Sequence, residues 1–420
     1  MKVAFYTLGC KVNHYETQAM EELFKKAGYE IAPFEETADI YVVNTCTVTQ
    51  ISDKKSRQML SRAHTQNPDA MVVAVGCYAE TARETVAALP GVSIVIGTEG
   101  RKDIVRLCEK ALQGKEVALT YPKPFARRVF EDLSATHDSR TRAVLKIQDG
   151  CNSFCTYCAI PLARGALRSR TMESCERELR SLAQAGYREV VLTGIQLSAY
   201  GVDLPEKPDL CDVIRLADSI EGIDRVRLGS LEPRSIDERF VKTAKACPSL
   251  CHQFHLSLQS GSDTVLQRMN RRYTTDDYRQ AVRLLRDAFD DTAITTDIIA
   301  GFVGETEAEH RETVDFVKEI GFARIHVFPY SKRNGTKAAS MPGHLPRAVK
   351  EERTKELIAV GFECETAFVS QMIGKTVAVL MEDDGTGYTG NYVRVHCSGE
   401  PGELKQVQLY AQDGVLALGK

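Results

Sequence analysis

Lys146-Ile147-Gln148-Asp149-Gly150-Cys151-Asn152-Ser153-Phe154-Cys155-Thr156-Tyr157-Cys158 decides the reading of this chain. The stretch continues the apolar run Val144–Gln148, a predicted strand, and sets three cysteines within eight residues, spaced C-x3-C-x2-C. Ordinary four-iron clusters take four cysteines. Three thiolates hold three irons and leave the fourth open to a ligand, which a fully capped electron carrier does not offer. A structural zinc site wants a fourth Cys or His at ligand spacing, and His137 and Cys175 are poorly placed to supply it. Three buried structural cysteines are the remaining alternative.

Outward from this loop the chain alternates strands and helices. The predicted strands are Val144–Gln148, Glu189–Leu192, Arg225–Leu228, Phe254–Leu258, Ala293–Ile299 and Ile325–Phe328, with helices such as Glu173–Ala185, Asp209–Ile220 and Glu307–Ile320 between them. Six β/α units are too few for the closed eight-unit barrel, so an open or partial barrel is expected. A charged helix, Pro346–Val369, leads out of it.

Upstream, apolar runs Val3–Leu8, Asp39–Val43, Met71–Val75 and Val92–Ile96 read as buried strands. Amphipathic stretches His14–Ala27, Asp53–His64, Glu80–Leu89 and Arg101–Gln113 read as helices, which together imply a doubly wound parallel sheet. Cys10, Cys46 and Cys77 each follow one of these strands, 36 and 31 residues apart, about one β/α unit each. The carboxyl ends of parallel strands share one edge, where ligands bind. Three thiols far apart in sequence therefore meet there, as a second three-cysteine cluster with one open iron or as unrelated buried cysteines. Downstream, Thr376–Met381, Gly387–Val395, Gln406–Leu409 and Val415–Leu418 are short strands between turns, the pattern of a small β-barrel.

Composition sets the frame. At 420 residues about three domains are expected, and 43% hydrophobic with 26% charged residues is an ordinary globular balance. The odd total of 13 cysteines is no disulfide framework. The start MKVAFYTLGC lacks the features of a secretory signal, and no apolar run nears the roughly 18 residues of a membrane span, so a cytoplasmic protein with reduced thiols is expected. The formal charge of −3 leaves nucleic-acid binding to local patches. One such patch is Ile160–Arg170, with Arg164, Arg168 and Arg170 and no acidic residue. Arginine recognises phosphate and stacks on bases. Arg268, Arg271 and Arg272 form a less specific second patch. The last barrel carries four basic and six acidic residues from Gly374 on, no basic footprint, although Tyr388 and Tyr392 offer rings for stacking.

The C-x3-C-x2-C loop, with aromatic Tyr157 before its last cysteine, resembles the radical S-adenosylmethionine superfamily. That resemblance implies a 4Fe–4S cluster on Cys151, Cys155 and Cys158 whose open iron chelates S-adenosylmethionine and cleaves it to methionine and a 5′-deoxyadenosyl radical. With the three-cysteine N-terminal domain and the terminal barrel, the whole chain resembles the methylthiotransferases, and the small barrel their TRAM domain. Leu8-Gly9-Cys10-Lys11-Val12-Asn13 is similar to the threonylcarbamoyladenosine tRNA branch, where the isopentenyladenosine branch typically reads Gln-Met and the ribosomal-protein branch Pro-Lys after the cysteine. The fold expected is α/β: residues 1–120 a doubly wound parallel sheet with the auxiliary cluster, 121–140 a linker, 141–369 a partial (β/α)6 radical barrel, and 370–420 a TRAM-like β-barrel.

The resemblance implies two 4Fe–4S clusters, the second on Cys10, Cys46 and Cys77. One S-adenosylmethionine methylates a sulfur attached to that second cluster. Another yields the radical that takes the C2 hydrogen of N6-threonylcarbamoyladenosine next to the anticodon. Polar residues at barrel strand ends read as ligand-binding, and similar family segments contact the cofactor. Tyr157, Gly194, Gln196, Ser230, Glu232, Ser257, Gln259 and Asp297 are the expected contacts. The partners implied are a tRNA anticodon stem-loop, held near the cluster by Arg164, Arg168 and Arg170, and a low-potential electron donor such as a flavodoxin or ferredoxin. The sulfur source is open and a monomer is expected. The other functions weighed are methylthiolation of another tRNA adenosine or a ribosomal protein, and a non-enzymatic iron–sulfur RNA-binding protein.

Overall fold

The computed structural model describes residues 1–115, 123–135 and 141–420. Of the expected linker, Tyr121, Pro122 and residues 136–140, His137 among them, lie outside the described residues. The chain opens with five parallel strands, β1 (Lys2–Thr7), β2 (Glu30–Ala32), β3 (Ile40–Thr45), β4 (Met71–Gly76) and β5 (Val92–Gly97), in the order β2-β1-β3-β4-β5. β3 and β4 are buried along their whole length, as central strands of a sheet covered on both faces must be. Three-residue β2 is too short to show a pattern in sequence. Helix α1 (Lys11–Lys26) starts at the residue after Cys10. Helix α2 (Gln50–Gln66) starts where Thr49 Oγ1 accepts the Ser52 N–H, a standard N-cap. The helix expected over Glu80–Leu89 is instead two short ones, α3 (Cys77–Thr81) and Arg83–Ala87, broken at Ala82.

The second body is a partial barrel. β6 (Arg142–Lys146) is followed by a small antiparallel pair, β7 (Gln148–Asp149) with β8 (Arg168–Ser169), which closes the chain around the cysteine loop. Then come β9 (Glu189–Thr193), β10 (Arg225–Leu228), β11 (Ser230–Leu231), β12 (Gln253–Leu256), β13 (Ala293–Ala300) and β14 (Arg324–Pro329). They form two parallel sheets, β10-β9-β6 and β11-β12-β13-β14. β10 and β11 are one run interrupted at Gly229, so the barrel has six strand positions, with β6 and β14 at its edges. Alternate residues such as Leu145, Val190, Leu192, Leu228, Phe254 and Ile294 pack outward under the helices. The residues between them turn polar groups inward: Glu189, Arg227, Gln253 and Thr295 pair with one another, and Lys146 pairs with Glu16 of α1 and with Asp149.

A 26-residue helix, Arg347–Met372, leads to a closed five-stranded barrel of β15 (Thr376–Met381), β16 (Thr386–Thr389), β17 (Arg394–His396), β18 (Leu404–Asp413) and β19 (Leu416–Gly419). The run Gly387–Val395, expected as one strand, is a hairpin turning at Tyr392, whose φ is +70°. Tyr388 and Tyr392 do not form an open stacking surface. Their rings stack on each other at 4.7 Å, with the Arg142 guanidinium over Tyr388 at 4.8 Å and that of Arg227 over Tyr392 at 4.5 Å. Arg225 Nη1 donates to the Tyr388 carbonyl at 2.9 Å and Arg227 Nη1 to that of Gly390 at 3.0 Å. These tyrosines join the terminal barrel to the amino ends of the central strands.

Candidate functional site

Backbone geometry aims the cysteine loop. Gly150 has φ +71°, and a Cβ there would stand 2.0 Å from the Ala166 carbonyl oxygen, so only glycine fits. Cys151 N–H then donates to the Gly165 carbonyl at 3.0 Å, and Thr156 N–H to that of Met269 at 3.0 Å. Cys151, Cys155 and Cys158 line one pocket of about 130 Å³ at the carboxyl ends of the central strands, together with Ser153, Tyr157, Gln196, Ser198, Ser230, Glu232, Ser257 and Arg271.

Donors already point at the sulfurs. Arg271 Nη1 lies 3.2 Å from Cys155 Sγ, and Ser153 N–H 3.4 Å from Cys151 Sγ. The Cys151 thiol donates to Gln196 Oε1 at 3.2 Å, and Gln196 Nε2 donates to Ser153 Oγ at 2.8 Å. Burial pushes the Cys158 thiol up to about 12 and raises Cys151, so these thiols ionise when a metal takes the place of the proton. Among the described residues no three His, Cys, Asp or Glu side chains converge tightly enough to grip one ion. A multi-iron cluster spreads its thiolates, one to an iron. The donor set therefore fits a cluster: soft sulfurs around a pocket, with a guanidinium and a backbone N–H directed at two of them.

Five of the expected cofactor contacts, Tyr157, Gln196, Ser230, Glu232 and Ser257, line this pocket. Three do not. Gly194 serves close packing, since a Cβ there would meet Gln148 Cβ at 2.9 Å. Gln259 (φ +73°) is tied through its backbone N–H to the Asp297 carbonyl at 2.9 Å. Asp297 faces His255 Nε2 at 3.5 Å. Arg271, in sequence only part of an unspecific basic patch, lines this pocket. Its partners, Cys155 and Glu232 (3.8 Å), are far away in sequence.

The second triad sits on the edge of the N-terminal sheet, after β1, β3 and β4. Cys10 caps α1 and Cys77 opens α3. Gly9 lies close enough to Cys46 that a Cβ would meet its Sγ at 3.0 Å. Cys46 and Cys77 are buried and Cys10 is exposed. Burial pushes Cys77 up to about 12, with the Cys10 and Cys46 sulfurs adding to the rise, so the three sense one another electrostatically.

The Arg164, Arg168 and Arg170 patch requires a correction. All three are buried, so they present no surface to RNA. Arg164 Nη1 and Nη2 bond Glu16 at 2.8 and 3.0 Å, Nη1 bonds Asp149 at 3.0 Å, and Nη2 bonds Asn13 Oδ1 at 2.7 Å. Lys146 Nζ joins the same Glu16 and Asp149 at 2.7 and 2.6 Å. Arg168 Nη1 donates to the Arg164 and Ala166 carbonyls at 3.0 and 2.7 Å. Arg170 bonds Asp132 and the Leu133 carbonyl. The described stretch 123–135 is accordingly a strap: Arg127 bonds Glu80 at 3.0 Å and Glu131 bonds Arg101 at 2.8 Å. The arginines lock the thiol-bearing edge of the first domain against the cysteine loop of the second. The remaining cysteines are structural in placement: Cys108, Cys175, Cys211, Cys247, Cys251 and Cys397 are buried and Cys364 partly so.

A three-cysteine loop at the mouth of an incomplete parallel barrel, beside a pocket of polar strand-end residues, defines a radical S-adenosylmethionine protein. Residues 145–317 match the Radical SAM superfamily and residues 2–97 the Uncharacterized protein family UPF0004. Among solved structures, the chain is similar to the radical S-adenosylmethionine methyltransferase TsrM from Kitasatospora setae, with a TM-score of 0.61 and 16% identity over 80% of this chain and 77% of that one. The fold is shared at that distance.

Curated relatives are much nearer. The threonylcarbamoyladenosine tRNA methylthiotransferase MtaB of Bacillus subtilis is 43% identical over 94% of this chain and 89% of its own length. That of Aquifex aeolicus is 37% identical over 97% and 100%. A tRNA-2-methylthio-N(6)-dimethylallyladenosine synthase of Clostridium tetani is 35% identical over 84% and 79%. The chain belongs to the threonylcarbamoyladenosine tRNA methylthiotransferases.

Proposed function

We propose that this protein converts N6-threonylcarbamoyladenosine beside the tRNA anticodon to its 2-methylthio derivative, as a transferase using S-adenosylmethionine. The observation that carries the reading is the pairing of two three-thiol sites, one on each of two domains locked together through Glu16 and Arg164, in a chain similar along nearly its whole length to enzymes of that name. Cys151, Cys155 and Cys158 hold one 4Fe–4S cluster, and Cys10, Cys46 and Cys77 the other.

When bound, the clusters and S-adenosylmethionine supply a radical for the adenine C–H, which no side-chain base removes near neutral pH, and the methyl group for the transferred sulfur. The chain's own residues position and shield. Gln196 and Ser153 fix the loop around Cys151. Arg271 sets positive charge beside Cys155. Ser230, Glu232 and Ser257 offer oxygens to the cofactor's amino and hydroxyl groups, and Tyr157 lines the same wall.

The reducing electron comes from an external low-potential donor such as a flavodoxin or ferredoxin. Both triads come from one copy, so the proposed reaction needs no second chain, and a monomer is proposed. Among the described residues no helix is long and apolar enough to cross a membrane, and we place the enzyme in the cytoplasm with its tRNA. Nucleoside mass spectrometry of tRNA from a deletion strain tests the reading. Loss of the methylthio derivative with build-up of threonylcarbamoyladenosine supports it, and unchanged tRNA refutes it.

A further inference from the structure

With Arg164, Arg168 and Arg170 buried, the RNA surface must lie elsewhere, and the outer side of the cysteine loop offers one. Phe154 stands between Cys151 and Cys155 but does not line the pocket. It has φ +48°, a region bulky residues avoid, and the residue is 54% exposed. Asn270 Nδ2 supports this conformation from the Phe154 carbonyl at 3.1 Å. Strain held in place around an exposed apolar ring marks a functional position. Phe125, in the strap's turn Pro124–Ala126, stacks on it with ring centroids 5.4 Å apart and planes 20° from parallel, and is itself 38% exposed.

The segments around this pair are cationic. Lys123 and Arg128 flank Phe125, Arg272 follows the Asn270 that holds the loop, and Lys332 and Lys337 lie on a loop bonded to it through Ala338 N–H and the Thr156 carbonyl at 2.7 Å. All five are exposed, and residues 123–129, 270–273 and 332–340 contain no acidic residue. Among the described residues Lys123, Arg272, Lys332 and Lys337 have no carboxylate partner. Aromatic faces for bases and cations for the backbone are the two components of single-strand recognition.

We infer that Phe125 and Phe154 form a stacking platform for an unpaired base of the substrate RNA, a neighbour of the base that enters the pocket, with the five cations at its phosphates. This rests on the tRNA function proposed above. Phe125 is exposed, so replacing it leaves no cavity in the core.

The test is binding of a labelled anticodon stem-loop carrying threonylcarbamoyladenosine to the reconstituted holoenzyme, read by fluorescence anisotropy. Stacking of a base contributes enough that F125A should weaken binding roughly five- to a hundredfold. F125L should weaken it similarly and F125W should retain it, because the face of the ring is what matters. F154A should act in the same direction, with its iron content measured alongside because it neighbours Cys155. If F125A binds within about twofold of wild type, or F125L binds as well as F125W, the platform is wrong, and in the second case the patch is a plain apolar contact. If wild type methylthiolates the RNA while F125A binds normally, the platform fails and the function stands. If wild type neither binds nor converts it, both fall.

Discussion

Arg164 and Glu16, 148 residues apart in sequence, share two hydrogen bonds of 2.8 and 3.0 Å in a wholly buried setting. One side chain comes from the helix after the cysteine loop, the other from the helix after Cys10. The pair therefore ties together the two segments that carry thiols. Stripping one partner from a buried ion pair leaves an uncompensated charge, at a cost of roughly 3–5 kcal/mol. R164A should lower the thermal unfolding midpoint strongly and expose the strap 123–135 to protease. Nearly unchanged melting would mean the domains are held by something else.

The same carboxylate gives a pH dependence. Burial alone would raise Glu16, but Arg101, Arg164 and Lys146 outweigh it and hold the carboxyl well below its ordinary value of 4.5. A depressed folded pKa means that the stabilisation is complete above the unfolded value and is lost as pH falls below it toward the folded one. Limited proteolysis of the strap should therefore be flat from neutral pH to about 5 and rise below that. E16Q, which carries no charge to lose, should be cleaved readily throughout. Equal acid sensitivity in both would put the acid response elsewhere.

Arg271 should act through the cluster ligand and the cofactor pocket. Losing a supporting hydrogen bond to a metal ligand typically costs 10–100-fold in metal affinity or activity. Removing positive charge beside a cluster sulfur also lowers the reduction potential. R271A is expected to retain the fold, shift the cluster midpoint to more negative potential, and slow 5′-deoxyadenosine formation by about 10–100-fold. An unshifted potential in a slow variant would assign Arg271 to cofactor binding alone.

Iron content separates the two triads. Anaerobic reconstitution should give about eight irons per chain, and about four when Cys10, Cys46 and Cys77 are all replaced by Ala. That variant should still cleave S-adenosylmethionine and make no methylthio product. Replacing Cys151 by Ala should abolish cleavage. A wild-type value near four would refute the two-cluster arrangement.

What sequence could supply here was local. The C-x3-C-x2-C loop, the thiols at strand ends and the apolar runs of β3, β4 and β9 are each legible within a few residues, because burial on both faces writes a continuous apolar run. What it missed depended on partners far away. Arg164, Arg168 and Arg170 read as a basic patch because the partners of two of them, Glu16 and Asp132, lie outside any local window. Tyr388 and Tyr392 read as free rings because Arg142 and Arg227 come from another body of the chain. Arg271 reached the pocket only through the folding back of the segment after Arg268. β2, at three residues, and the turn inside Gly387–Val395 are too short for periodicity to resolve.

The proposed function requires one chain to carry both sites needed to place a methylthio group on threonylcarbamoyladenosine. The most direct measurement is a single in vitro reaction of the reconstituted protein with S-adenosylmethionine, a chemical reductant, a sulfur donor and a threonylcarbamoyladenosine stem-loop, followed by mass spectrometry of the nucleosides. A methylthio group in place of the C2 hydrogen, accompanied by 5′-deoxyadenosine, is the predicted result. 5′-Deoxyadenosine from a protein with both clusters loaded, with the adenosine left unmodified, would contradict it.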